Sequence, residues 1–325
     1  MRVQKAAVFV ALWVLTGIVG CAFGAERKSE NRNGSPTPVL APAKRDGLTP
    51  YAVAFWNEQR GLLTGQSGCP VQCGDYIIAL TEDGGLHWRE VYRGTDRIGH
   101  LSTIPGEAWA STAKGLLKSR DEGQTWEATG PGYAEPAFAN DKAGWALVAT
   151  EENRWNVESP IFSTSDGGKT WNRLNSPCGG GRTVPGAISL VSPTEGWVGC
   201  MSQPGAGQQD KVLYKTTDGG HTWKESSDLS GGGYLNGLFF RPGDKGWVWL
   251  TRGGLSLTTD GGRTWQTTNA VQPEVREAWD LWMVSDRVGY LLLRDNVDRQ
   301  FKLVKTVDGG MSTSLVQQWP IDPPR

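Results

Sequence analysis

Residues 216–223 read TTDGGHTW and residues 258–265 read TTDGGRTW. An Asp-Gly-Gly step between alternating apolar stretches is a hairpin signal, because the turn needs positive φ and glycine reaches it without a Cβ clash. The same pattern, Ser/Thr-x-Asp-x-Gly-x-Thr-Trp, returns at 81–88 (TEDGGLHW), 119–126 (SRDEGQTW) and 164–171 (TSDGGKTW), with His87 in place of the Thr in the first. A degenerate sixth copy, 306–313 (TVDGGMST), carries Thr313 at the Trp position. The repeated acids are Asp83, Asp121, Asp166, Asp218, Asp260 and Asp308, at intervals of 38, 45, 52, 42 and 48, a mean of 45. Repeats of that period mark solenoids and propellers.

A second motif precedes each copy: an apolar run, a polar turn, Gly-Trp or a relative, and a further apolar run. Clear examples are 137–150 (AFANDKAGWALVAT), 188–200 (ISLVSPTEGWVGC) and 238–250 (LFFRPGDKGWVWL). Each unit thus reads strand, turn, strand, loop, strand, Asp-Gly turn, strand. Four short antiparallel strands in about 45 residues make a propeller blade. The expected fold is an all-β propeller of four-stranded antiparallel blades. Six blades are predicted, and seven remain possible if 44–50 and the C-terminus build more. Composition agrees: Gly 44 of 325 is about twice ordinary usage, and the chain carries 16 Trp. Large flat rings suit the wedges between sheets.

The eight-residue units resemble the Asp-box, or bacterial neuraminidase repeat, over residues 51–319. The resemblance implies that each unit is the turn between the third and fourth strands of a blade. The six Asp residues named above would fold back onto turn amides and the Thr hydroxyl. Trp88, Trp126, Trp171, Trp223 and Trp265 would pack between blades. With one carboxylate per box, a calcium shell of six to eight oxygens is not available. His87, His100 and His221 are scattered, so no metal site is read. The glycine runs 179–181 and 231–233 lack the strand, Gly-Lys and helix context of a phosphate cradle. No cofactor is expected.

The N-terminus reads as an address. Arg2 and Lys5 precede an apolar stretch, 6–20 (AAVFVALWVLTGIVG), which suits a secretory signal and is short for a spanning helix. Its end at Cys21 looks like a bacterial lipobox, with Cys21 as the lipidated first residue; ordinary cleavage after Gly24 is the alternative. Residues 1–20 are therefore expected to be a lipoprotein-type signal, 21–50 a flexible tether rich in polar residues and proline, and 51–325 the propeller. Lys+Arg 33 against Asp+Glu 34 gives a net charge of -1, without the basic surplus of a nucleic-acid binder.

In a propeller, loops between strands one and two share a rim with the Asp-Gly turns, and here they are short. The opposite rim carries the irregular loops 66–74, 151–160, 201–210 and 294–300 within blades, and 175–185 and 231–235 between them. Irregular loops on a regular scaffold are where function usually sits. Trp155, beside Arg154 in a polar insertion, is a candidate anchor of the kind enriched at interfaces. Arg97, Arg182, Arg276 and Arg294 lie near the same rim. Cys69, Cys73, Cys178 and Cys200 also fall there. An even count in an exported chain favours disulfides, paired as Cys69–Cys73 and Cys178–Cys200.

Over its length the chain resembles the photosystem II stability and assembly factor propellers. That resemblance implies a non-catalytic, membrane-associated scaffold whose rim binds protein, escorting a membrane or envelope complex; with the lipobox, the expectation is a lipid-anchored monomer outside the cytoplasm. The alternative is a glycoside hydrolase or carbohydrate-binding propeller, since sialidases and xyloglucan-active enzymes share the boxes. The Phe/Tyr-Arg-Ile-Pro segment of sialidases has no match before the first box. No spacing selects two acids from Glu135, Glu151, Glu152, Glu158, Asp210 and Glu274 as a hydrolytic pair.

Overall fold

The computed structural model describes residues 47–68, 75–130, 134–148, 161–179, 183–205, 209–229, 232–271 and 276–321. Among the described residues every regular element is a β-strand. Blade one is β1 (Leu48–Phe55), β2 (Gly61–Ser67), β3 (Tyr76–Thr81) and β4 (Arg89–Gly94). Blade two is β5 (Ile98–Ile104), β6 (Glu107–Thr112), β7 (Leu116–Ser119) and β8 (Glu127–Thr129). Blade three is β9 (Ala134–Phe138), β10 (Gly144–Val148), β11 (Ile161–Thr164) and β12 (Asn172–Leu174). Blade four is β13 (Thr183–Leu190), β14 (Gly196–Ser202), β15 (Lys211–Thr216) and β16 (Lys224–Asp228). Blade five is β17 (Tyr234–Arg241), β18 (Lys245–Thr251), β19 (Gly254–Thr258) and β20 (Gln266–Thr267). Blade six is β21 (Arg276–Met283), β22 (Gly289–Asp295), β23 (Gln300–Thr306) and β24 (Ser314–Pro320).

Each blade is an antiparallel meander with its strands in chain order. The first strands neighbour one another in turn, and β21 returns to β1. The fold is a six-bladed propeller; the described residues form no seventh blade. Leu48, Thr49 and Pro50, which the sequence assigns to the tether, belong to β1. The signal segment, Cys21 and the tether up to residue 46 lie outside the described residues.

The Gly-Trp motif seats one blade on the next. Gly61 pairs with Phe55, Gly144 with Phe138 and Gly246 with Phe240. The Phe ring lies over the missing side chain, so a Cβ on Gly246 would stand 2.4 Å from the ring of Phe240. The other face of that ring receives the aromatic of the preceding blade. Trp109 stacks on Phe138 at 3.6 Å, Trp197 on Phe240 at 4.0 Å, and Tyr290 on Phe55 at 3.7 Å. Between these stacked interfaces Trp145 packs with Leu190 and Trp247 with Met283. These five aromatics, Trp109, Trp145, Trp197, Trp247 and Tyr290, are all buried.

The Asp-Gly turns are built by their own hydrogen bonds. In the third unit the Thr164 hydroxyl donates to Asp166 Oδ1 and accepts from Gly168 N, while Thr170 donates from its hydroxyl to Oδ2 at 2.6 Å and from its amide to Oδ1. The units at Asp121, Asp218 and Asp260 repeat this. The two departures keep the bond to Oδ2: His87 Nδ1 stands 2.6 Å from Asp83, and Ser312 Oγ donates to Asp308 at 2.5 Å. Hydrogen bonds from Ser312 and Thr306 hold the Asp308 carboxyl down at about 2. Burial pushes the other way at Asp121, yet the bonds from Thr125 and Ser119 still bring it to about 2. The indoles of Trp88, Trp126 and Trp171 donate to carbonyls of their own turns, while Trp223 donates to Asn175 O and Trp265 to Ser227 Oγ. The sixth unit lacks its Trp, and Gly310 packs against Leu255 and Trp247 of blade five instead.

Candidate functional site

One rim is regular. In all six blades an Asp-Gly turn amide donates to the β-turn joining strands one and two, as from Gly84 N to Gln59 O and from Gly261 N to Asp244 O, each 2.8 Å, and from Glu122 N to Gly106 O at 3.2 Å. The first strands begin at the opposite rim, and there the repeat breaks.

Five of the six first strands carry a β-bulge at one level. The extra residue is Tyr51 in β1, Gly186 in β13, Asn236 in β17 and Trp279 in β21, and in β5 the slip spans Gly99 and His100. A bulge re-aims side chains and bends its strand. The residue after each bulge lies opposite the second-strand position two beyond the Gly-Trp aromatic or its counterpart Leu62. Thus Ala52 faces Thr64, Ala187 faces Gly199, Gly237 faces Trp249 and Asp280 faces Leu292. In unbulged β9 that place is held by Glu135, opposite Leu147. In blade two the equivalent partner is Ser111, which the slip leaves beside Gly99 and His100. Ala52, His100, Glu135, Ala187, Gly237 and Asp280 therefore form one ring around the axis. All but Ala52 line a cavity of about 590 Å³ along that axis, with Phe239 and Trp282 further down.

Three ionisable groups share this ring with three small residues. His100 Nε2 lies 3.1 Å from Glu135 Oε1. Asp280 Oδ2 accepts from Val53 N at 2.8 Å, and its Oδ1 from Leu281 N at 2.9 Å. Burial pushes the Asp280 carboxyl up to about 6, against the pull of those amides and of His100. His100 lines the cavity with its side chain half exposed. Burial alone would lower its pKa, but the charge and hydrogen bond of Glu135 outweigh it and the group is raised. Asn236 Nδ2 donates to Ala278 O at 2.6 Å and ties the bulge of blade five to that of blade six. Trp279 meets Phe301 edge-on at 5.1 Å.

Of the residues singled out from sequence, Arg97 lies exposed between blades one and two, its guanidinium 5.4 Å above the Tyr51 ring. Arg294, in β22, stands 4.0 Å from Glu277 across the strand pair. Arg276 opens β21. Cys178 and Cys200 form a disulfide that fastens the segment after blade three to β14. Arg154, Trp155, Arg182, Cys69 and Cys73 lie outside the described residues. Glu135, counted from sequence among rim-loop acids, sits within β9, and His100, read only as a scattered histidine, is its partner. Asn236, Trp279 and Asp280 were not singled out. A signal existed: 51–55, 100–104, 186–190, 236–240 and 279–283 align at their apolar ends while their first two residues diverge.

No family model matches the chain, and no curated protein matches it. Solved structures do. One is YCF48 bound to a D1 peptide, at 18% identity over 85% of this chain and 83% of that one, with a TM-score of 0.51. A second is the GH93 α-L-arabinofuranosidase of Fusarium graminearum in complex with arabinobiose, at 14% identity over 78% and 90%, TM-score 0.55. A third, a protein of unknown function from Dyadobacter fermentans, covers 85% and 95% at 11% identity and TM-score 0.51. These likenesses establish the fold. The resemblance to photosystem II assembly-factor propellers, read from the repeats, thus holds in the folded chain.

Proposed function

We propose that this chain is an exported, membrane-tethered propeller that binds a partner polypeptide at its irregular rim and stabilises or assembles an envelope or membrane complex. The observation that carries it is the level of bulges at that rim. A closed ring of blades has no need of them, and they place Tyr51, His100, Asn236 and Trp279 at that rim, off the regular register of the strands. Arg97 over Tyr51 adds a cation at the same rim. The peptide bound to structurally similar YCF48 supports this use of the fold. The tether is the stretch ending near residue 46, with a lipid on Cys21 as anchor. The protein acts as a monomer and performs no reaction.

The test is a crosslinked pull-down of the full-length protein from its own cells, compared with the Arg97→Ala/Trp279→Ala variant. One enriched membrane or envelope protein, lost with the variant, is expected. Equal capture by both would remove these residues from the site.

A second reading, glycoside hydrolysis, is favoured by one observation: two acids, Glu135 and Asp280, enter one axial cavity, and a GH93 enzyme shares the fold. Release of sugar from arabinan, xyloglucan or sialosides, abolished by Glu135→Gln, would select it over the scaffold.

A further inference from the structure

The axial ring itself carries a ligand requirement. In a six-membered ring blades three and six stand opposite each other, so Glu135 and Asp280 approach the axis from opposite sides. Ala52, Ala187 and Gly237 leave the space between them open. Asp280 is satisfied by two main-chain amides, but among the described residues no cation lies within 4 Å of it. A carboxylate set among cavity walls with no cation in contact, His100 acting on it only from a distance, is costly to ionise. Trp249 lines the same cavity, is 5% exposed and lies against Gly237.

We infer that the axial ring binds a basic residue of the partner polypeptide, its ammonium or guanidinium between Glu135 and Asp280. This deepens the scaffold reading and rests on it. Among the described residues no group of three His, Cys, Asp or Glu is placed to hold a metal ion, which favours an organic cation. His100 is the internal competitor: when protonated it occupies Glu135. The charged groups that act on Asp280 are His100 from β5 and Glu135 from β9, and Arg97 acts in turn on His100. Both titrations act in one direction. Raising the pH ionises Asp280, which burial holds near 6, and discharges His100, whose pKa is raised by Glu135, so cation binding tightens as pH rises through 6 and further as His100 loses its proton.

The probes are N-acetyl-lysine methylamide and N-acetyl-arginine methylamide, with uncharged N-acetyl-norleucine methylamide as control, titrated into the full chain and followed by NMR. Saturable binding of at least one cationic probe is expected, tightening with pH, and absent for norleucine. The Glu135→Gln/Asp280→Asn variant keeps an oxygen for Val53 N and, once its thermal melt shows that it folds, should bind about tenfold more weakly or worse. His100→Gln should flatten the pH dependence. No saturable cation binding to the wild type, equal binding of norleucine, or unchanged binding by the folded double variant would overturn the proposal. The pull-down separates it from the scaffold reading. Undiminished partner capture by the double variant sinks the axial site and leaves the scaffold. Cation binding without any captured protein supports the ring as an ammonium site for a free amine and sinks the scaffold.

Discussion

Glu122 is the one residue that takes the left-handed place in the six Asp-Gly turns without being glycine, at φ 55, where Gly84, Gly167, Gly219, Gly261 and Gly309 stand in the others. A side chain there costs about 1–2 kcal/mol, whereas its exposed ion pair with Arg60 (3.1 Å) contributes under about 1 kcal/mol. Glu122→Gly should therefore raise the urea midpoint, equivalent to about 1 kcal/mol; a lower midpoint would mean that the Arg60 pair dominates. The turn carboxylates set the acid limit. Asp121 and Asp308 sit near 2 in the folded chain, below the usual Asp value of about 4. A lowered folded pKa contributes stability above the unfolded value and loses it as pH falls through the folded one, so the urea midpoint should drop between about pH 4 and 2. Asp280 has the opposite sign. Its folded value near 6 means that its contribution is full below about 4 and is lost as pH rises through 6. Asp280→Asn should therefore gain stability relative to the wild type as pH rises from 4 to 7, and a constant difference would show that Asp280 is not buried as described. At this scale the turn residues were legible because the same chemistry is written six times. Asp280 and His100 were not, because nothing local distinguishes them from surface charges.

The elements are meanders whose inner pairs meet through glycine. A Cβ on Gly144 would lie 2.5 Å from the Phe138 ring, and that ring carries Trp109 on its far face. Gly144→Ala and Gly246→Ala should each lose about 1–3 kcal/mol in urea unfolding, as overpacking does; neutral variants would show that the stacks can slide. Strand order and the Gly-Trp and Asp-Gly turns were readable from alternation and turn chemistry. The bulges were not. Each inserts one residue into a first strand, and Tyr51, Gly186, Asn236 and Trp279 share no chemistry that flags the slip. Only the pairing register brings Glu135 of an unbulged strand level with Asp280 of a bulged one.

The whole molecule closes without a shared strand, since β21 to β24 are consecutive and complete blade six. The seam is held from inside to outside. Asp280 takes Val53 N, Trp282 donates to Phe55 O at 2.8 Å, Tyr290 stacks on Phe55 and donates to Glu58 O at 2.7 Å, and Lys305 pairs with Glu58. Tyr290→Ala should cost about 3–5 kcal/mol, the ordinary loss for a buried aromatic, and lower the melting temperature; a change below about 1 kcal/mol would mean that the seam does not depend on this stack. Six blades were legible at this scale because the repeat interval fits one blade. Which rim does the work was legible only as a contrast between regular and irregular loops. The central claim is that the rim with the bulges is the binding face. Its most direct test is hydrogen exchange of the full-length protein with and without its crosslink-identified partner. Protection is expected at 48–53, 98–101, 134–136, 234–237 and 276–280, with the Asp-Gly turns unchanged. Protection confined to those turns, on the opposite rim, would contradict the account.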